Sequence, residues 1–165
     1  DLIICKIGEG MKEKDRGFSL VELIIVIAIM AILIGVLAPQ YLKYVEKSKV
    51  TADKDILDEV FQACSTASVD DDITDLPRAG DTNIAVDISG NHPGWSARVL
   101  ELLGAADFAQ DVEGRLKSSV ATRPDKGNRK IIIEVDSGNQ FTVYVGAKTN
   151  ANHNATGIVV GMAAD

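Results

Sequence analysis

From Leu20 to Ala38 every residue is apolar or glycine except Glu22. As a helix these 19 residues extend about 28 Å, the depth of a bilayer core. A secretory signal has a shorter apolar region ending in a small-residue cleavage site, and this run continues past that length. The segment therefore reads as a membrane span with one carboxylate at its mouth. Two roles suit that carboxylate. Ser19-Leu-Val-Glu22 fits S-x-x-E, a capping box that satisfies free backbone N–H groups at a helix start, and a negative charge in the first turn suits the helix dipole. An ionisable group in a span also marks an assembly contact by default.

Charge does not orient the span. Lys12, Lys14 and Arg16 precede it and Lys43, Lys47 and Lys49 follow it, so the positive-inside rule is level. Cleavage after Gly17 would change the local electrostatics. The Phe18 nitrogen is a neutral amide in the intact chain and an α-amino cation after a cut, which a neighbouring subunit's Glu22 could neutralise in a low-dielectric helix bundle.

The run Lys14-Asp-Arg-Gly17-Phe18-Ser-Leu-Val-Glu22, the apolar residues behind it and the later Pro39 closely resemble the N-terminal signature of type IV pilins and type II secretion pseudopilins. The resemblance covers Lys14 to about Val50, and its motif is specific. It implies cleavage between Gly17 and Phe18 by a prepilin peptidase at the cytoplasmic face and N-methylation of Phe18. It also implies that Glu22 pairs with a neighbour's new amine. The leader then lies inside and Pro39 onward outside. The expected fold is α+β and pilin-like: a long kinked N-terminal helix, its first half transmembrane, packed on a small C-terminal antiparallel sheet. Residues 1–17 are the expected leader, with 1–10 read as upstream sequence because Met11 opens a shorter one. Residues 18–39 form the assembly half-helix, and 40–165 the extracytoplasmic domain.

Beyond the signature the residues speak for themselves. Leu42, Val45, Ile56, Leu57, Val60, Cys64 and Ala67 recur at helical spacing, so Pro39 predicts a kink and not a stop, with one helix from about Phe18 to Ala67 and Gly35 loosening the same stretch. Cys64 falls on the apolar stripe and reads as a buried structural thiol. Cys5 lies in the leader, so no disulfide forms within one mature subunit; packing, hydrogen bonding or an ion must fix the C-terminal region. Asp70 to Pro77 ends the helix as a solvated acidic loop, since its spacing is not that of an EF-hand calcium loop. Thr82 to Ile88 predicts a short strand. Trp95 to Leu103 predicts a helix that packs Trp95, Val99 and Leu102, and Ala106 to Val120 a second helix or an irregular segment. Lys130–Val135, a turn at Asp136–Asn139 and Gln140–Val145 form a hairpin with Phe141, Val143 and Val145 on its buried face, and Thr156–Met162 adds a strand. Asn154-Ala-Thr156 is a glycosylation-type triplet and weak as a signal. His92 and His153 have no ligand-spaced companions.

The net charge of −7 and few aromatics argue against nucleic acid as a direct partner. No nucleophile–base set, phosphate loop or metal pair stands out, so neither enzyme activity nor a cofactor or metal is expected. The expected function is a structural prepilin that is cleaved, methylated and polymerised into a type IV pilus. The alternative is a pseudopilin of a type II secretion or competence system. Expected partners are further copies of the chain, the prepilin peptidase/methyltransferase, an assembly platform and the bacterial cytoplasmic membrane.

Overall fold

The computed structural model describes residues 17–146, 148–150, 153–154 and 156–161. Helix α1 spans Leu20–Ala67 and runs through Pro39 without a break. The chain divides into two units, Asp1–Tyr41 and Leu42–Asp165. In the first, every residue from Gly17 to Tyr41 is exposed, including the apolar side chains of the expected span. Aliphatic surface on that scale needs lipid or other helices to cover it.

In the second unit α1 turns Ile56, Leu57, Val60, Ala63, Cys64 and Ala67 into the core. Leu42 shares the helical spacing of this stripe but is 67% exposed. Periodicity specifies a face of a helix, whereas the extent of its cover depends on what packs against it. Helix α2, Pro93–Leu103, starts on a proline, whose missing N–H is no loss in a first turn. It ends at Gly104, whose φ of 63° lets its N–H reach the last carbonyls. Trp95 and Val99 are buried as expected, but Leu102 is not. Ser96 and Leu100 turn inward instead, which rotates the buried face away from Leu102.

Residues 104–118 form no regular α-helix. A π-turn at Phe108–Val112 leads into a 3-10 turn at Glu113–Arg115, and the short helix α3, Ser119–Thr122, follows. Aspartates organise this stretch: Asp107 accepts from the Gln110 N–H, and Asp111 from those of Ala106 and Asp107. Such local bonds compete with a continuous helix.

The hairpin is present. Strands β1, Ile131–Val135, and β2, Phe141–Val145, pair antiparallel from Ile131 opposite Val145 to Val135 opposite Phe141. Asp136 closes the turn by accepting from Gly138 and Gln140 N–H. The strand expected within Thr156–Met162 is two residues long, β5 at Val159–Val160, and pairs with the other edge of β2; Met162 lies outside the described residues. The sheet order β1-β2-β5 makes β2 central, and all five of its residues are buried, so the one-sided alternation expected there does not hold. A separate pair, β3 at Lys148–Asn150 and β4 at His153–Asn154, was not foreseen.

Thr82 to Ile88 is not a strand. The stretch around it still lies along the outer edge of β1, with Gly80 N–H bonded to Val135 O, Val135 N–H to Asp81 O and Ile84 N–H to Ile133 O. A φ of 52° at Asn83 interrupts the extended run. One hydrophobic core joins α1, α2 and the sheet, with Trp95 stacked on Phe141 at 5.8 Å between ring centroids.

Candidate assembly site

Gly17, Phe18 and Ser19 precede the first turn of α1. The Ser19 side-chain oxygen accepts from Val21 N–H at 3.3 Å, and Glu22 Oε2 reaches back to accept from Ser19 N–H at 2.9 Å. Leu23 N–H bonds Ser19 O and closes the turn. The capping box read from S-x-x-E is thus formed, and it aims the carboxylate at the backbone next to Phe18. Glu22 Oε1 makes no hydrogen bond among the described residues. Phe18 is 87% exposed.

A Cβ at Gly17 or at Gly35 would meet nothing within 4 Å, so packing within the chain does not explain either glycine. The Gly17–Phe18 bond lies in exposed, non-helical backbone, the kind of segment a peptidase can bind. Residues 1–16, with Cys5 and the basic residues of the expected leader, lie outside the described residues.

The other singled-out side chains lie apart from this motif. Cys64 is fully buried, and burial pushes its thiol up from the ordinary range. His92 lies just before α2, its Nδ1 2.8 Å from Asp75 O and its Nε2 3.7 Å from Asp81 Oδ2. His153 is on β4. The acidic loop is tied down internally: Asp70 Oδ2 lies 3.1 Å from Arg98 Nε, and Asp75 accepts from Gly94 N–H. Among the described residues no group of three or more His, Cys, Asp or Glu could hold a metal.

Three carboxylates that tie the second unit together escaped the sequence reading. Asp53, 1% exposed on α1, accepts from Lys117 and Ser118 N–H, each at 2.9 Å. Glu46, two turns earlier, accepts from Ser119 N–H. Glu113 is buried and accepts from Ile131 N–H and Lys130 Nζ. In a subunit whose described cysteine is a single free one, these bonds hold the 113–131 segment against α1 and β1. Asp53 could have been found, because it interrupts the apolar stripe three residues before Ile56.

Comparison with known proteins agrees with the N-terminal geometry. Residues 13–38 match the prokaryotic N-terminal methylation motif. The chain is 30% identical over 122 residues to a type IV major fimbrial protein FimA of Dichelobacter nodosus, covering 67% of this chain and 76% of that protein. It is 44% identical over 52 residues to prepilin peptidase-dependent protein A of Clostridium perfringens (strain 13 / Type A), covering 31% of this chain and 37% of that protein. No solved structure matches. With the methylation motif at its N-terminus and a fimbrial relative covered over three quarters of its length, the chain belongs to the type IV pilin family.

Proposed function

We propose that this pilin is made as a membrane-staged precursor, cut between Gly17 and Phe18, N-methylated on Phe18 and polymerised into a surface filament. The observation that carries this reading is the formed capping box beneath an exposed Phe18. Glu22 already points at the backbone beside the bond to be cut, and Oε1 keeps acceptor capacity for a second donor. Among the described residues Glu22 meets only its own Ser19 N–H. After cleavage, each Phe18 carries a cation that a neighbour's Glu22 can pair in the apolar bundle, where an unpaired charge costs several kcal/mol. Residues 18–39 first span the cytoplasmic membrane, leader inside, and then become the filament's helical core. Gly35 and Pro39 let that half-helix bend as subunits pack.

The remainder, residues 40–165, forms the outer domain and carries no catalytic work. Its partners are further copies, the peptidase/methyltransferase and an assembly platform. A pseudopilus would use the same chemistry, but the fimbrial relatives favour the pilus.

Mass spectrometry of the mature protein tests the processing. The chain should begin at Phe18 with about 14 Da added for one methyl group; an uncut chain sinks the reading. Glu22→Gln keeps an acceptor for Ser19 N–H but removes the charge. That variant should stay in the membrane fraction yet yield no filaments, and normal filaments from it would show that the charge is not needed.

A further inference from the structure

The second unit is acidic, yet six of the 13 Lys and Arg after residue 39 fall between residues 115 and 130, beside one acid, Asp125. Three contacts fix where that segment lies along α1. Arg115 Nη1 sits 2.9 Å from Glu59 Oε2, the Lys117 and Ser118 N–H groups donate to Asp53, and Ser119 N–H donates to Glu46. The segment thus descends α1 toward Leu42, where the second unit begins. Glu46 stands only about 7.5 Å of helix beyond Tyr41. Helix α3 follows at this low end, and the turn behind it stays there, since Gly127 and Arg129 N–H groups bond Val120 O and Ala121 O. Arg123 and Arg129 are exposed, Lys126 is half-buried, and Lys43 and Lys47 are exposed at the same end of α1. The acids there are already engaged: Glu46 and Asp53 by the 117–119 backbone, and Asp125 by Arg123 at 3.2 Å. Among the described residues Lys43, Lys47, Lys126 and Arg129 form no ion pair.

We propose that this basic end, Arg123, Lys126 and Arg129 with Lys43 and Lys47, seats the membrane-staged chain on anionic phospholipid headgroups at the outer surface of the cytoplasmic membrane. Headgroups are the anions that this placement offers, because the chain leaves the lipid a few residues before Lys43. Cations are drawn to such a surface over about a Debye length, ~8 Å at physiological salt. The acidic remainder of the domain is repelled by the same surface. An acidic loop of a second copy would also match these cations, but Asp70 and Asp75 of that loop are held within their own chain by Arg98 and Gly94 N–H. This inference rests on the membrane-staged reading above and adds what the domain contacts before assembly.

The test is amine acetylation of the full chain in lipid nanodiscs, one copy per disc, with rates read lysine by lysine by mass spectrometry. Discs of phosphatidylcholine alone are compared with discs rich in phosphatidylglycerol. Headgroup contact should slow labelling of Lys126 by about threefold or more in the anionic discs alone, and high salt should remove the effect. Lys54, exposed about 16 Å of helix beyond Lys43, should label at one rate in both discs. Arg123→Glu with Arg129→Glu should abolish the slowing at Lys126, while Lys43, just outside the span, keeps its own. A chain that does not enter the discs overturns the membrane-staged reading and this inference with it. Entry with an unchanged Lys126 rate in anionic discs, or slowing that the double variant retains, overturns the proposal and leaves that reading standing. Equal slowing of Lys54 reports bulk charge and not contact, and also overturns it. Slowing in both lipids that appears only with two copies per disc assigns the basic end to a second copy and does the same.

Discussion

Glu22 and Asp53 occupy the same helix and solve opposite problems. Glu22 is exposed at the helix start, where one oxygen caps Ser19 N–H and the other makes no hydrogen bond among the described residues, so a desolvation cost arises only when lipid or neighbours surround it. Asp53 is buried, and both of its oxygens are used within the chain by consecutive N–H groups at 117 and 118. Removing Asp53 strands one buried donor, Ser118 N–H, and one part-buried donor, Lys117 N–H. Asp53→Ala should therefore cost about 2–4 kcal/mol, on the scale of leaving such groups unpaired. Asp53→Asn retains one acceptor and should cost less. Thermal melts of both variants in detergent check this, and equal melting of wild type and Asp53→Ala would show that the two bonds add nothing. Glu22 was legible because S-x-x-E is a local pattern. The place of Asp53 on the apolar stripe is local too, but its partners, more than sixty residues away, are not.

At the scale of elements, α1, α2 and the hairpin were legible from periodicity, capping and turn chemistry. The central place of β2 was not. A strand's own alternation cannot reveal that a second strand from the C-terminal segment pairs with its free edge, nor that Thr142 and Tyr144 are buried as well as the apolar positions. Nor could Thr82–Ile88 be told from a strand, since one left-handed asparagine interrupts it. The end of β2 is held by a tight approach. Gly146 has a φ of 79°, and a Cβ there would stand 2.5 Å from Lys126 O. Gly146→Ala therefore adds both a clash and a strained backbone. It should destabilise the domain by about 1–3 kcal/mol, read as a lowered denaturant midpoint with an unchanged slope. Gly35→Ala meets open space and should leave that midpoint unchanged.

For the whole molecule, an acidic composition sets the pH response. Hydrogen bonding from Ser119 holds the Glu46 carboxyl below its usual value. The N–H groups of Asp107 and Ala106 do the same for Asp111, and Ser89 does so for Asp87. All three bind protons more readily unfolded than folded. The stability they supply is complete above their ordinary values of 4.5, 3.8 and 3.8 and is lost as pH falls through their lower folded values. Melting in detergent should be level near neutral pH and decline on acidification through that range. Glu46→Gln, which cannot titrate, should make the decline shallower; an identical acid limb would remove Glu46 from the account.

The one-dimensional pattern determined the apolar run, the capping box, the motif around Gly17 and Phe18, and hence membership of a filament-forming family. Each of these depends on neighbours within a few residues, so spacing alone is enough. Only the tertiary structure decided that α1 keeps its carboxylates Glu46 and Asp53 for the 117–119 backbone. That choice depends on which distant N–H groups the fold brings within hydrogen-bond reach, and no local pattern records it. The opening glutamate belongs to the first kind. The bonds from Glu46 and Asp53 to the 117–119 backbone belong to the second.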